Sequence, residues 1–229
     1  MNIQVLGSAD AVADEAAKQI AALAREAVAA RGRFVLAVSG GKTPWQMLRA
    51  LAGEDVPWTN FHVIQVDERI APAGDPDRNL THLRESLLGQ APLPAANLHA
   101  MPVEEKELET AARNYAQALQ RLAGSPPLLD LAHLGLGPDG HTASLVPNDP
   151  VLNVTDRDVA LTGFYQNRRR MTLTYPILNR ARSILFLVTG PEKAPMLRRL
   201  RDGDVSIPAA RIRRENALVL ADLDAVANL

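Results

Sequence analysis

The chain reads as an α/β protein built on a mostly parallel sheet with helices on both faces. Three observations predict this. Apolar strand-like runs alternate with helix-like segments along all 229 residues, the order expected of strand–helix–strand units. The runs Phe34–Val38 and Ile184–Val188 are apolar throughout, and Leu128–Leu136 is apolar but for Asp130 and His133, as strands covered on both faces should be. Several of these runs end in glycine-containing turns, where open parallel sheets place their ligands.

Taken in order, residues 10–31 are alanine-rich with Val12, Ala16, Ile20, Leu23 and Val28 near helical spacing. Strand 34–38 follows, then a helix predicted to have Pro44 at its first position and Thr43 as its cap. Residues 61–66 form the next strand, ended by the polar triplet Asp67-Glu68-Arg69. A turn-rich stretch at 72–77 precedes a helix over 79–88. A short strand at 98–101, a long amphipathic helix at 104–122 and a strand at 128–136 come next. Further strands are predicted at 158–162, 171–174, 184–189 and 217–220, and helices at 175–180 and 192–201. No repeat or linker interrupts this order, so residues 1–229 are expected to form a single domain.

Composition narrows the function. A net charge of −1 provides no general attraction to nucleic acid or anionic lipid, so any anion must be caught by a local cluster. Cysteine is absent, which removes thiolate nucleophiles and thiolate metal sites. Asp10, Asp14 and Glu15 stand where a secretory leader needs an apolar core, and no apolar run approaches the roughly 18 residues of a membrane span. A cytoplasmic location is expected, with no nucleic-acid or membrane partner. The histidines at 62, 82, 99, 133 and 141 show no metal-ligand spacing, so no metal is expected.

Four segments carry candidate chemistry. Ser39-Gly40-Gly41-Lys42-Thr43 joins a strand to a helix N-terminus whose free amides suit a phosphate. Read alone, it serves equally as a tight turn with an exposed lysine. Asp67-Glu68-Arg69 reads first as a salt-bridged surface loop. At a strand end, however, Asp67 can orient hydroxyls and Arg69 can grip an anion. Leu134–Ser144 is the most specific stretch, a strand feeding a glycine-rich turn that lifts Asp139 and His141 out together. A histidine, titrating near neutrality, suits proton abstraction from water, and Asp139 is placed to bias it. Finally, one of Arg168, Arg169 and Arg170 is expected to point inward at an anion. Lys193 lies in the first turn of a helix, where a cation opposes the helix dipole and so hints at a bound anion or is merely solvated.

In this order the segments SGGKTP, VDER, LGLGPDGHTASL, RMTLT and VTGPEKA resemble the 6-phosphogluconolactonase family over nearly the whole chain. That family sits in a wider group with a Rossmann-like sheet, which includes glucosamine-6-phosphate deaminases and, more distantly, ribose-5-phosphate isomerases. The resemblance implies hydrolysis of 6-phosphoglucono-δ-lactone, the second step of the pentose phosphate pathway, without metal or organic cofactor. It implies that the small-molecule partner is a sugar-phosphate lactone. It assigns Ser39, Gly40, Gly41, Lys42, Thr43, Arg170 and Lys193 to one phosphate, and His141 to the base. Asp67 and Asp139 would hold sugar hydroxyls or place the histidine, and Arg69 would join the substrate contacts. The oxyanion would fall to loop amides or to Arg69. A monomer or weak homodimer is expected.

The chain departs from the family pattern in two places: Lys42 where serine is commoner, and Val-Pro-Asn-Asp after the DGHTASL segment, where an aromatic residue and glycine are commoner. The alternatives are a deaminase or isomerase and a non-catalytic sugar-phosphate sensor. The deaminases carry Glu five residues after the motif's histidine, where this chain has Val146.

Overall fold

The computed structural model describes residues 1–227. Its centre is a seven-stranded parallel sheet in the order β1-β10-β9-β6-β2-β3-β5. These strands are β1 (Asn2–Leu6), β2 (Phe34–Val38), β3 (Phe61–Gln65), β5 (Leu98–His99), β6 (Leu131–Gly135), β9 (Ser183–Val188) and β10 (Ala217–Asp222). From β2 the chain builds outward through β3 and β5. From β6 it builds the opposite way through β9 and β10. The order therefore reverses between β2 and β6, and the loops leaving their carboxyl ends are Ser39–Thr43 and Gly135–His141. This reversal opens a crevice for ligands.

The apolar runs are continuous because each strand serves two cores. Phe34, Leu36 and Val38 of β2 pack under α1 (Ala9–Arg31) and α2 (Lys42–Leu51), while Val35 and Ala37 face the other layer. β9 divides in the same way, with Leu185 and Leu187 on one side and Ile184, Phe186 and Val188 on the other. On the second face the core is closed by α4 (Leu108–Ala123), α5 (Tyr175–Arg180), α6 (Ala194–Asp202) and the short α7 (Leu223–Val226). Helix α1 begins at a Ser8 cap that accepts from the Ala11 amide and ends at Gly32. Its buried Ala13, Ala16, Ala17, Ala21 and Ala24 allow close approach of its neighbours. No helix among the described residues is long and apolar enough to cross a membrane.

Several expectations are corrected. β1 was not predicted: its alternating Asn2 and Gln4 mark an edge strand held by β10 alone. The helix after the first glycine pair starts at Lys42, with Pro44 third and Gly41 at the cap position. Thr43 caps nothing, and its hydroxyl instead meets that of Thr189 at 2.7 Å. The helix expected over 79–88 is α3 (Asn79–Leu83) followed by a π-helical turn, Arg84–Leu88. The long helix expected from 104 starts at Leu108.

The largest correction is at Asp67-Glu68-Arg69. Instead of a surface loop it is a strand, β4, in a second, antiparallel sheet with β7 (Val159–Leu161) and β8 (Arg170–Leu173). Val66 links the sheets, donating to the Val38 carbonyl and accepting from the Leu173 amide. Asp67 and Glu68 are buried.

Candidate functional site

The site is assembled at the reversal point by loops from both sheets. After β2, the Ser39 amide donates to His133 Nδ1 in the core at 3.2 Å, which fixes where the loop leaves the sheet. Gly40 comes next, and a Cβ there would collide with the Asn79 carboxamide. That carboxamide donates to the Asp67 carbonyl at 2.9 Å and accepts from Arg69. Close approach of backbone to side chain is what glycine permits. The first amides of α2 then open into the crevice beside Lys42 and Lys193.

After β6, the turn Gly137–Gly140 brings His141 back over its own start. The Gly137 amide donates to the His141 carbonyl at 2.8 Å, and a Cβ at Gly137 would occupy the place of the imidazole. His141 Nδ1 lies 2.5 Å from Asp139 Oδ1, and the His141 amide also donates to that oxygen. Tyr165 donates to Asp139 Oδ2 at 3.0 Å. The hydrogen bond from His141, supported by Tyr165, holds the Asp139 carboxyl well below the usual carboxylate range. With Asp139 ionised, the proton between the pair belongs on Nδ1, and in the neutral imidazole Nε2 is then the acceptor. The imidazole borders a cavity of about 180 Å³ with Ser39, Gly40, Gly137 and Lys193.

From the small sheet, Arg170 is the inward-pointing arginine of the three. It is buried, and its Nε finds no partner among the described residues. One of its terminal nitrogens reaches Ser144 Oγ at 3.4 Å and the other Gln166 Oε1 at 3.1 Å. Burial pulls its pKa down, while Asp67 pulls it back up. Ser144 in turn donates to Asp67 Oδ2 at 2.5 Å. Arg168 stays at the rim, paired with Asp75 and Asp77, and Arg169 donates to the Thr162 carbonyl. Arg69, Arg168 and Arg170 line a depression of about 410 Å³ with Trp45 and His82.

The candidates therefore divide between adjoining depressions that meet at Gly40–Gly41. Lys193 and His141 border one cavity, Lys42, Thr43 and Lys193 the next, and Arg69 and Arg170 the third. Asp67 does not reach His141; it is occupied with Ser144, Asn79 and, at 4.0 Å, Arg170. Glu68 lies deeper, with carboxylate oxygens taking the amides of Arg69, Asn79 and Leu80 and the Gln65 side chain, each at 2.8 Å. It fastens β4 to α3. The residues that sequence reasoning missed are Asn79, Tyr165 and Ser144. Only Ser144 lay within a recognised motif.

A family model described as glucosamine-6-phosphate isomerases/6-phosphogluconolactonase matches residues 7–220. A 6-phosphogluconolactonase of Synechocystis is 41% identical over 189 residues, covering 81% of this chain and 76% of the relative. One from Mycobacterium tuberculosis is 36% identical over an alignment covering 100% of this chain and 98% of its own. The crystal structure of a 6-phosphogluconolactonase from Thermotoga maritima, 27% identical, matches with a TM-score of 0.85 over 96% of this chain and 98% of that one. With the matched segment running from before α1 into β10, the chain belongs to the glucosamine-6-phosphate isomerase/6-phosphogluconolactonase family.

Proposed function

We propose that the chain is an enzyme that hydrolyses 6-phosphoglucono-δ-lactone to 6-phosphogluconate, with His141 as the general base. The observation that carries this reading is the Asp139–His141 pair, whose Nε2 is left as a proton acceptor at the edge of a cavity that also holds Lys193. An ester carbonyl is already electrophilic, so the site has to supply a positioned water, a base and compensation of the charge that develops. His141 Nε2 takes a proton from water as the oxygen attacks C1. The imidazolium that forms is stabilised by Asp139. As the tetrahedral intermediate collapses, His141 returns the proton to the ring oxygen, which leaves as the C5 hydroxyl.

Lys193 and Gly40, with its amide, line the cavity of His141 and supply the charge compensation there, whereas Arg69 is turned toward Asn79 in the neighbouring depression. The substrate's phosphate is placed where the depressions meet, with Arg170 and Arg69 on one side and Lys193 and Lys42 on the other. Anchoring the phosphate fixes the ring and turns a bimolecular encounter into an oriented one. Among the family's chemistries, deamination is disfavoured by Val146, a buried side chain unable to move a proton. We place the reaction in the cytoplasm on the strength of the cysteine-free composition.

The test is a direct assay of substrate loss at low pH, where spontaneous lactone opening is slow. It compares the phosphorylated lactone, unphosphorylated gluconolactone and glucosamine 6-phosphate. Rapid turnover of the first, weak turnover of the second and none of the third is expected. Ammonia release from glucosamine 6-phosphate without lactone hydrolysis would refute the reading.

A further inference from the structure

The hairpin joining β7 to β8 stands where the His141–Asp139 pair meets the arginine-lined depression, and the mechanism above leaves its tip unused. The hairpin closes at Tyr165–Arg168. The Tyr165 amide donates to the Arg168 carbonyl at 3.0 Å, and the Arg168 amide returns the bond at 3.2 Å. The two residues between them, Gln166 and Asn167, have φ of 50° and 62°. Both lie in the left-handed region, the geometry that a two-residue hairpin turn demands and that glycine or asparagine adopts more readily than glutamine. A strained tip persists only when its surroundings hold it in place.

Those surroundings are the site itself. The Tyr165 hydroxyl donates to Asp139 Oδ2, and its ring stands edge-on to His141 with centroids 5.5 Å apart. The Arg170 guanidinium lies over the ring face at 5.0 Å, and Gln166 accepts from the same guanidinium. Asp139 is thus held at both oxygens, by His141 on Oδ1 and by Tyr165 on Oδ2. A carboxylate anchored through one oxygen can turn about its Cβ–Cγ bond. Anchored through both, its plane is set, and with it the direction in which the imidazole presents Nε2. A third group that orients the base is a recurring arrangement in proton-transfer sites.

We infer that Tyr165 is a positioning residue for the hydrolysis, aligning His141 through Asp139 while Arg170 clamps its ring. This inference rests on the lactonase reading above. The hydroxyl does the aligning, and the ring only keeps the hydroxyl in place. Removing each in turn separates the two parts.

Tyr165→Phe keeps the ring over Arg170 and deletes the donor to Asp139. It is expected to lower kcat on the phosphorylated lactone by about threefold to tenfold, the scale of one hydrogen bond, with KM unchanged. Tyr165→Leu removes the stacked ring as well and is expected to raise KM in addition. A role in folding alone would leave the imidazole as it is. The second measurement is therefore the His141 Nδ1 proton resonance by NMR in Tyr165→Phe, which is expected to shift as Asp139 loses its second anchor. Wild-type kcat in Tyr165→Phe, or an unmoved His141 resonance, overturns the inference and leaves the lactonase reading intact. A wild-type protein that fails to open the lactone overturns the functional reading instead.

Discussion

The interior of β6 and the loop it feeds carry one histidine each, and the two regions make opposite use of the same side chain. His133 is fully buried, and burial pushes its pKa down to about 3. It is held neutral, accepts from the Ser39 amide and has no path to solvent. Eight residues on, the imidazole of His141 is 21% exposed, with a carboxylate at its Nδ1 and a cavity at its edge. Proton transfer needs an imidazole whose protonated form can be stabilised and reached. Fixing a backbone amide in the core needs one that never protonates. The inert histidine still serves the active one indirectly, because it sets the exit of the Ser39–Thr43 loop across the crevice.

Exchanging the active histidine is the strongest way to break this contrast. His141→Ala or His141→Asn should lower kcat by about two orders of magnitude or more, the lower bound for a lost general base. The melting temperature should barely change, because the side chain is partly exposed. Near-normal kcat in both folded variants would remove His141 from the role of base.

Next in size are the cations. Arg170→Ala and Lys193→Ala should each cost about one to two decades in kcat/KM on the phosphorylated lactone, the worth of one charged hydrogen-bonded contact. On unphosphorylated gluconolactone the losses should largely vanish. The adjoining depressions sharpen this comparison. Lys193 shares the cavity of His141, whereas Arg170 reaches the base only through the Tyr165 ring, so the larger residual loss on the unphosphorylated lactone should fall on Lys193→Ala. Equal losses on both substrates for both variants would move the phosphate elsewhere.

The buried histidine is tested by pH and not by rate. His133 takes a proton near its ordinary 6.5 in the unfolded chain and only near 3 in the fold. Its contribution to stability is therefore full above pH 6.5. As the pH is lowered from there toward 3, the unfolded state binds the proton and stability falls by at most about 1.4 kcal/mol per pH unit. His133→Leu should flatten that part of the stability curve. It should also cost about 1–3 kcal/mol at neutral pH, since the Ser39 amide loses its acceptor. An unaltered slope between pH 4 and 6 would mean that His133 is not the group responsible.

What was legible in the sequence follows from how local its causes are. β2, β6 and β9 were legible because double coverage leaves them almost wholly apolar, His133 being the polar side chain inside β6, and the loops at their ends carried the candidate residues. β4 was not legible. Asp67-Glu68-Arg69 reads as exposed because the donors near it in sequence, the Gln65 side chain and the Arg69 amide, serve Glu68 only in part and Asp67 not at all. The other partners of the two carboxylates are Asn79, Leu80 and Ser144, which only the fold delivers. Tyr165 was hidden for the same reason, since its value lies in reaching Asp139 from 26 residues away. The assignment of Arg170 and Lys193 to one phosphate came from the resemblance. The structure puts the two on opposite sides of Gly40–Gly41, a separation that no spacing along the chain expresses.

The smallest effect is expected at Lys42, where this chain departs from the commoner serine. Lys42 is the first residue of α2 and is exposed, beside Lys193 in the depression that opens at the helix N-terminus. Asp10, Glu192, Asp222 and Asp224 line the same depression. Its positive charge is therefore spread among four carboxylates and exposed to solvent, and both weaken its pull on a phosphate. The Lys42 amide, which serine would retain, still points from the helix end. Lys42→Ser should accordingly lower kcat/KM on the phosphorylated lactone by only about twofold to threefold at low ionic strength, a few tenths of a kcal/mol. That difference should shrink further in about 0.5 M salt, where screening acts over only a few ångströms. The measurement is kcat/KM of both proteins across a salt series. A loss as large as that of Lys193→Ala, or one that salt does not reduce, would make Lys42 a direct ligand of the phosphate and the depression at α2 its principal seat.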